Sequence, residues 1–298
     1  MGLVESQRQR TRVALKKAVR SAGVRTSWLR PMPDFLVIGA KRGGSTSLYF
    51  DLLAHPSYVQ LYPPPVPGLK STATKGVHFF DENYDHGIDW YRSYMPMRAT
   101  RALNARRHGA APVVGEASPY YLFHPVAASR AYAAVPETRV VALLRDPVAR
   151  TYSHWKERRR EGAEDLDFLA ALDAEPKRLA GEREKLLADP GYHSYAWEQQ
   201  SYATQSLYAD ALRPWLDLFG RERVLVAASE DYYADPLSVL RRIDEFLGVP
   251  PRATSTGKVR NQAPGEPLPA EVRARLEKFF ASPNRELVGL LGQDLPWA

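Results

Sequence analysis

The sequence predicts an α/β fold with a central, mainly parallel β-sheet between two layers of helices. Short apolar runs at residues 34–39, 112–115, 138–144 and 223–227 are typical of buried strands. Segments with helix-start and helix-stop signals alternate with these runs. Strands that alternate with helices favour parallel pairing, with helices on both faces of the sheet.

The predicted helices are bounded by proline and glycine. Pro147 and Pro236 stand where a first helical turn accepts proline, and Gly220 and Gly248 follow the last apolar positions of their segments. These signals predict helices at residues 45–54, 147–161, 202–219, 236–247 and 270–291, with a charged, mainly helical stretch at 164–189.

Length and charge suggest one large domain with a basic arm. The 298 residues fit a single α/β domain at 31–298 better than two small ones. Residues 1–30 hold eight lysines or arginines and one acidic residue, so the whole net charge of +7 lies in this arm. The chain has no cysteine, which excludes disulfides, cysteine-ligated metals and thiol catalysis and fits a reducing cytoplasm.

The basic arm raises the question of an anionic partner. It could contact an anionic membrane surface peripherally, or it could be a solvated, partly helical extension. No run of eighteen apolar residues occurs, so we expect a cytoplasmic protein without a membrane span. The rest of the chain is balanced in charge and lacks the aromatic motifs of RNA-binding modules, so we expect no nucleic-acid partner.

A glycine-rich turn between the first strand and the first helix predicts a phosphate site. A helix start offers free amide groups and the positive end of its dipole to an anion. Glycines allow the backbone to approach closely, and lysine, arginine and hydroxyl side chains add donors. The turn reads Gly39-Ala40-Lys41-Arg42-Gly43-Gly44-Ser45-Thr46-Ser47.

This turn departs from the Walker A loop of nucleoside triphosphatases. Gly39, Gly44 and Thr46 have the Walker spacing, but Ser45 occupies the lysine position and the lysine lies earlier, at Lys41. The strongest second strand is followed first by an arginine rather than by a magnesium-binding aspartate. The pattern indicates a P-loop-like fold that binds a phosphate-bearing ligand without a metal.

A second motif follows that strand directly. Arg145 comes where open α/β sheets bind ligands, and Ser153 lies two turns into the next helix. An arginine fork and a serine hydroxyl that converge there can bind a second, separate phosphate.

With these two motifs in this order, the sequence resembles the sulfotransferases that use 3′-phosphoadenosine-5′-phosphosulfate (PAPS). The resemblance covers about residues 32–298 and is closest to the heparan-sulfate-type and bacterial carbohydrate enzymes. It implies that the loop holds the 5′-phosphosulfate, through Lys41, Arg42, Gly43, Gly44, Ser45, Thr46 and Ser47, and that Arg145 and Ser153 hold the 3′-phosphate. The product would be adenosine 3′,5′-bisphosphate (PAP).

Four further segments carry the resemblance. Lys75-Gly-Val-His-Phe-Phe-Asp81 and Gly115-Glu-Ala-Ser-Pro-Tyr-Tyr121 are similar to family segments near the acceptor. Ser206-Leu-Tyr208 is similar to a Gly-x-Tyr helix, and Ser255-Thr-Gly-Lys-Val-Arg260 to a late basic loop over the cofactor. The resemblance therefore adds Tyr208, Lys258 and Arg260 as cofactor-binding residues.

The resemblance also suggests catalytic residues, with one departure. Lys41 would stabilise the leaving phosphate and the sulfuryl oxygens, and Lys75 would assist from the acceptor side. The heparan-type enzymes use a glutamate as base where this chain has Gly76. We therefore expect His78 as the base, with Glu116 (or Asp81) as second choice, and a carbohydrate-like acceptor other than heparan sulfate.

Two rival functions remain open at this point. One is a nucleotide-dependent kinase, which Ser45 at the Walker lysine position disfavours. The other is a catalytically inactive fold that binds an anionic glycan or lipid. The alanine, arginine and proline usage resembles that of a bacterial, GC-rich genome.

Overall fold

Four parallel strands form the central sheet. In a computed structural model, residues 17–64, 74–258, 260 and 267–298 are described. The strands are β1 (Phe35–Gly39), β2 (Gly115–Ala117), β3 (Arg139–Leu144) and β4 (Val224–Ala228). Their spatial order is β2-β1-β3-β4, and each neighbouring pair is parallel. The predicted α/β class with a mainly parallel sheet is confirmed.

Helices cover both faces of this sheet. They are α1 (residues 17–25), α2 (Ser45–Leu52), α3 (Ile88–Arg92), α4 (Arg98–His108), α5 (Ala127–Ala134), α6 (Pro147–Arg160), α7 (Phe168–Leu179), α8 (Glu182–Ala188), α9 (Tyr195–Gln199), α10 (Tyr208–Phe219), α11 (Ser229–Ala234), α12 (Pro236–Leu247) and α13 (Ala270–Leu291). Short 3₁₀ turns lie at Ser27–Leu29, Tyr84–His86, Thr204–Ser206 and Arg221–Arg223.

Alternating side chains of β3 contribute to two separate cores. Val140 and Ala142 pack in one cluster with α5 and α10, while Val141 and Leu143 pack in another with α2 and α12. A strand buried on both faces reads as an unbroken apolar run because neither face meets water. This is why the sequence located β3 to within one residue of its start.

Two other elements begin later than the sequence predicted. The second strand, expected at 112–115, pairs with β1 only from Gly115 to Ala117, and its middle residue is the buried Glu116. A search for apolar runs does not detect this strand, because a carboxylate interrupts it. Helix α10 begins at Tyr208 instead of residue 202, because the carboxylate of Glu175 accepts the amide hydrogens of Ala203 and Thr204 and holds that stretch as a turn.

The carboxyl ends of β1, β3 and β4 each lead directly into a turn and a helix. β1 leads into the glycine-rich turn before α2, and β4 leads into α11. After β3, the carboxylate of Asp146 accepts the amide hydrogen of Val148 and caps α6, which starts at Pro147. Three helix starts therefore meet at one edge of the sheet.

The C-terminal part of the arm is packed against the body. The Arg20 guanidinium lies 3.1 Å from the centre of the Tyr94 ring and donates to the Ser93 hydroxyl at 2.8 Å. Arg30 is buried and donates from Nη1 to the Met95 carbonyl at 2.5 Å. Among the described residues, no helix has both the length and the apolar character needed to cross a bilayer.

A buried ion pair fixes the segment that leads to the basic loop. Arg252 donates to both carboxylate oxygens of Asp244 at 2.7 Å and to the Asp51 carbonyl at 2.6 Å. The Tyr58 hydroxyl donates to the same Asp244 carboxylate at 2.8 Å. Asp51, at the end of α2, also accepts hydrogen bonds from the amide and hydroxyl of Thr256. The chain before residue 260 is thus tied to the helix of the phosphate loop.

Replacing Asp244 by alanine should lower the free energy of unfolding by roughly 3–5 kcal/mol, because it leaves the Arg252 guanidinium buried without its counter-charge. Equilibrium unfolding in urea measures the change. The control is Asp173→Ala, which removes an exposed pair with Arg275 and should change stability by less than about 1 kcal/mol. Equal losses in the two variants would contradict this account of the buried pair.

Candidate active site

A basic cavity of about 950 Å³ lies at the edge of the sheet where the three helix starts meet. Basic residues outnumber acidic ones in its lining, since seven of the lining residues are lysine or arginine and two are glutamate. The basic residues are Lys41, Arg42, Lys75, Arg145, Lys156, Arg260 and Arg273, and the acidic ones are Glu157 and Glu230. A cavity of this charge attracts polyanionic ligands.

The glycine-rich turn forms the floor of this cavity. A Cβ on Gly43 would lie 2.5 Å from the Leu143 carbonyl of β3, so only glycine lets the turn lie this close to the sheet. Gly44 has a φ of 95° and caps α2, which begins at Ser45. Ser45 and Thr46 line the cavity, and the amides of this first turn have no carbonyl partner within the helix.

Lys75 reaches the same helix start from another segment. Its Nζ donates to the hydroxyl of Thr46 at 3.1 Å and to that of Ser45 at 3.3 Å. Burial lowers the pKa of Lys75 to about 8, although the charge of Glu116 opposes the shift. The sequence resemblance placed Lys75 near the reaction, and the structure brings it to the phosphate loop.

Lys41 lies in the wall of the cavity and faces α9. Its Nζ is 2.9 Å from the Gln199 side-chain oxygen and 3.3 Å from Oε1 of Glu198. Burial lowers the pKa of Lys41, against the attraction of Glu198. Glu198 had no motif around it in the sequence, and only the fold brings it to the lysine 157 positions away.

The second predicted phosphate pair also lines the cavity. Arg145 and Ser153 are both in its wall, and Arg42 lies between them. Arg42 donates from Nε to the Ser153 hydroxyl at 3.2 Å, and its carbonyl accepts from Arg145 at 3.2 Å. The first and second motifs are therefore in direct contact.

The other predicted cofactor residues differ in their positions. Arg260 lines the cavity, with its guanidinium 4.7 Å from the Phe50 ring centre. Ser47 is buried and accepts the Arg260 amide hydrogen at 2.8 Å. Tyr208 is buried outside the cavity wall and donates to the Arg145 carbonyl at 2.9 Å. Lys258 is exposed and does not line the cavity. Ser47 and Tyr208 thus act on the backbone of cavity residues.

The cavity has further residues that the sequence did not single out. Arg273 of α13 and Tyr233 of α11 come from distant parts of the chain, and neither lies in a recognisable motif. Lys156 of α6 also lines the cavity. Among the described residues, no cluster of three or more His, Asp or Glu could hold a metal ion.

His78 is paired with a carboxylate and does not line the basic cavity. Its Nδ1 lies 2.9 Å from Oδ2 of Asp81, and its ring is 34% exposed. Burial opposes the charged ring, but the hydrogen bond and charge of Asp81, with the charges of Glu82 and Glu116, raise the pKa of His78 to about 9. A protonated imidazole cannot accept a proton, so near neutral pH this geometry does not support the base that the sequence suggested.

Glu116 is an anchor in the protein interior. Its Oε2 accepts from the Val77 amide and the Ser118 hydroxyl at 2.6 Å, and its Oε1 accepts from the hydroxyls of Tyr121 at 2.7 Å and Tyr91 at 3.1 Å. Its exposure is 0%, and burial raises its pKa despite these donors. With no exposed surface, Glu116 cannot reach an acceptor hydroxyl, so its predicted role as a second-choice base does not fit.

Gly76 allows this segment to lie against β2. The Ala117 amide donates to the Lys75 carbonyl at 2.9 Å, and a Cβ on Gly76 would lie 2.5 Å from the Ala117 carbonyl and 2.8 Å from the Ser118 hydroxyl. A glutamate side chain at this position would therefore collide with the β2 backbone. The backbone here therefore has no room for a glutamate, the residue that the resemblance to the heparan-type enzymes implies as base at this position.

Gly76→Glu should not supply a base. Its side chain should displace Lys75 and so lower sulfotransferase activity below that of the wild type, and Gly76→Ala should cause a similar loss. Displacement of Lys75 should also lower the melting temperature and the affinity for PAP, which are both measured. Gly289→Ala is the control, because nothing lies within 4 Å of its added Cβ in α13, and it should stabilise the protein by about 0.5–1 kcal/mol. A gain of activity in Gly76→Glu would show that this reading of the segment is wrong.

Comparison with known proteins agrees with the site. Residues 32–263 match the family model of the sulfotransferase domain. The chain is 23% identical to a membrane-associated sulfotransferase of Dictyostelium discoideum over 89% of its own length and 66% of that protein. It is 26% identical to the heparan sulfate glucosamine 3-O-sulfotransferase 6 of Mus musculus, over 90% of its length and 74% of that protein.

This chain matches two further relatives over very different shares of their lengths. The chain is 27% identical to a human bifunctional heparan sulfate N-deacetylase/N-sulfotransferase 3 over 89% of its length, but it spans only 31% of that protein. A solved sulfotransferase from Alicyclobacillus acidocaldarius superposes with a TM-score of 0.63 at 29% identity, covering 90% of this chain and 99% of that one. Since the family model covers well over half of the sequence, the chain belongs to the sulfotransferase family.

Proposed function

We propose that this enzyme transfers a sulfuryl group from PAPS to a hydroxyl of a carbohydrate-like acceptor, such as a polysaccharide, a glycolipid or a glycosylated natural product. The observation that carries the proposal is the basic cavity, in which the loop at 39–47 and the Arg145–Ser153 pair lie side by side. Relatives named for heparan sulfate support the carbohydrate class.

The donor fits the cavity through two groups of side chains. Lys41, Ser45, Thr46 and Lys75 would hold the 5′-phosphosulfate end at the start of α2. Arg145 and Ser153, with Lys156 beside them, would hold the 3′-phosphate. The rings of Tyr152 and Tyr233 and the side chain of Leu268 give part of the wall an apolar surface, which suits the flat adenine ring.

Catalysis in this proposal depends on positioning and charge. The donor, when bound, supplies an activated sulfuryl group on a phosphate leaving group. Lys41 and Lys75 place two ammonium groups where negative charge would build up on the leaving phosphate. Both lysines are partly buried, so water screens their charges less than it would on an open surface.

The kinase alternative is weakened by Lys75. In a Walker A loop the Ser/Thr hydroxyl that follows the lysine binds Mg²⁺. Here the hydroxyl of Thr46 accepts a hydrogen bond from the Lys75 ammonium group at 3.1 Å. A cation of the protein itself thus occupies the position where a kinase would place its metal.

A cytoplasmic location and peripheral contact of residues 1–30 with an anionic membrane are further parts of this proposal. The membrane contact is supported by the net charge of the arm, apart from Arg20 and Arg30, which pack against the body. The relative from Dictyostelium is named a membrane-associated sulfotransferase.

Binding of PAP tests the donor site directly. At a hundred times its dissociation constant, PAP should stabilise the wild type by about 2.7 kcal/mol without a metal, and the shift should weaken in Lys41→Ala. A thermal-shift titration measures both, with Lys177→Ala as an exposed control outside the cavity. A shift with ATP and Mg²⁺ but none with PAP would make the kinase alternative the working hypothesis.

The Lys75 ammonium should give the reaction an alkaline limit. Because burial lowers its pKa to about 8, Lys75 is charged below that pH and loses its proton above it. We expect kcat/KM for PAPS to fall above about pH 8. Lys75→Arg keeps the charge at high pH, so its alkaline limb should move upward by more than about one pH unit, while Lys177→Arg should follow the wild type. If the alkaline fall in kcat/KM were unchanged in Lys75→Arg, it would belong to the titration of another group.

A further inference from the structure

A second, smaller cavity adjoins the basic one and has the opposite character. Its volume is about 260 Å³, a little below the roughly 300–1,000 Å³ of pockets for drug-sized ligands. It is lined by Asp81, Glu82, Tyr120, His124, Leu186, Tyr192, His193, Ser194, Tyr195 and Glu198. Among these described residues are three carboxylates and three tyrosines, but no lysine or arginine. The size and the aromatic walls suit one ring of a larger acceptor.

The two cavities share a wall at the lysine of the phosphate loop. Glu198 lines the acidic cavity, and its Oε1 lies 3.3 Å from Nζ of Lys41, which lines the basic cavity. The consecutive residues Pro119 and Tyr120 line the basic and the acidic cavity, respectively. A group in the acidic cavity would therefore lie next to the residue that we place at the sulfuryl end of the donor.

A buried histidine in the same wall lacks a partner. His124 is 7% exposed and lines the acidic cavity, and its Nδ1 has no hydrogen-bond partner among the described residues. Burial lowers the pKa of His124 to about 4, so the ring is neutral. An unsatisfied buried polar atom is expected where a ligand or water completes the hydrogen bonding.

The cations nearest to this cavity are occupied by other groups. Arg130 donates to the carbonyls of Phe80, Asp81 and Pro190 at 3.0–3.2 Å. Lys185 is paired with Glu182 at 2.7 Å. Neither residue lines the cavity. Within the lining, Asp81 is paired with His78 and Glu198 with Lys41, so the described lining offers carboxylate oxygens and hydroxyls but no lysine or arginine of its own to bind an anion.

We infer that the acidic cavity binds the acceptor and selects a neutral or amine-bearing saccharide over a polyanionic one. The inference rests on the proposed sulfotransferase function, since it needs the donor's sulfuryl end at Lys41. A lining without lysine or arginine gives the carboxylates and sulfates of a heparan-like chain no counter-charge, whereas its carboxylate oxygens can accept hydrogen bonds from an ammonium group and from hydroxyls. This departs from the acceptor for which several relatives are named.

The same cavity supplies a proton acceptor in place of His78. Glu82 and Glu198 both line the cavity, and Oε1 of Glu198 lies 3.3 Å from Nζ of Lys41. Burial and the charges of Glu198 and Asp81 raise the pKa of Glu82 to about 7. The cavity thus places two carboxylates near the sulfuryl end of the donor. The acceptor oxygen forms its bond to sulfur, the sulfur–oxygen bond to the nucleotide phosphate breaks, and the hydroxyl proton passes to the Glu198–Glu82 pair.

Three matched trisaccharides test the charge preference: chitotriose, which carries amines, its neutral triacetylated form, and trigalacturonate. Each is titrated by calorimetry into the protein saturated with PAP, at about pH 7, because at a lower pH Glu82, whose pKa is raised to about 7, loses its charge. Chitotriose should bind at least about tenfold more tightly than trigalacturonate. Glu82→Gln and Glu198→Gln should each reduce this ratio severalfold, whereas Glu184→Gln, exposed on α8 outside the cavity, should leave it unchanged. Tyr195→Lys adds a cation at an exposed lining position and should strengthen binding of trigalacturonate.

The outcomes separate this inference from the donor proposal. If PAP itself fails to bind, the proposed function falls before any trisaccharide is added. If PAP binds, the inference is overturned by equal or tighter binding of trigalacturonate, by a ratio unaffected in the cavity variants, or by no binding of chitotriose and its acetylated form. With a trisaccharide that serves as acceptor, Glu198→Gln should lower kcat by about a hundredfold or more, while PAP still binds in the thermal-shift titration. An unchanged kcat would remove Glu198 from the proton transfer.

Discussion

The site depends on one buried carboxylate. Glu116 lies in the middle of β2 with no exposed surface, and it accepts hydrogen bonds from Val77, Ser118, Tyr91 and Tyr121. An ionised carboxylate in an interior is tolerable only when such donors surround it. These bonds fix the segment at 75–81 against the sheet, and that segment carries Lys75 to the start of α2. The position of one cation at the phosphate loop is thus set by hydrogen bonding inside the protein.

Two neighbouring cavities with different linings underlie the proposed separation of donor and acceptor. The basic one collects seven lysines and arginines from several segments of the chain. The acidic one collects three carboxylates and three tyrosines. Lys41 and Glu198 form the boundary between the two cavities, and the proposed reaction takes place at this boundary. Such an arrangement would hold an anionic donor and a less anionic acceptor without either competing for the other's cavity.

The structure brings most of the residues predicted for the donor into one cavity, but not His78 and Glu116, the residues predicted as bases. Lys41, Ser45, Thr46, Arg145 and Ser153 lie in short motifs at the ends of apolar strands, and such strands are easy to locate because both of their faces are buried. Glu198 and Arg273 come from helices whose packing no local pattern specifies. His78 and Glu116 were chosen by residue type. Their roles depend on Asp81 and on burial, which a sequence does not reveal.

A crystal structure with PAP bound would test the central claim most directly. We expect the 5′-phosphate at Lys41, Ser45, Thr46 and Lys75, and the 3′-phosphate at Arg145 and Ser153, with no metal ion between phosphate and protein. The two phosphates bound elsewhere, or a metal ion at Thr46 in place of the Lys75 ammonium group, would contradict it.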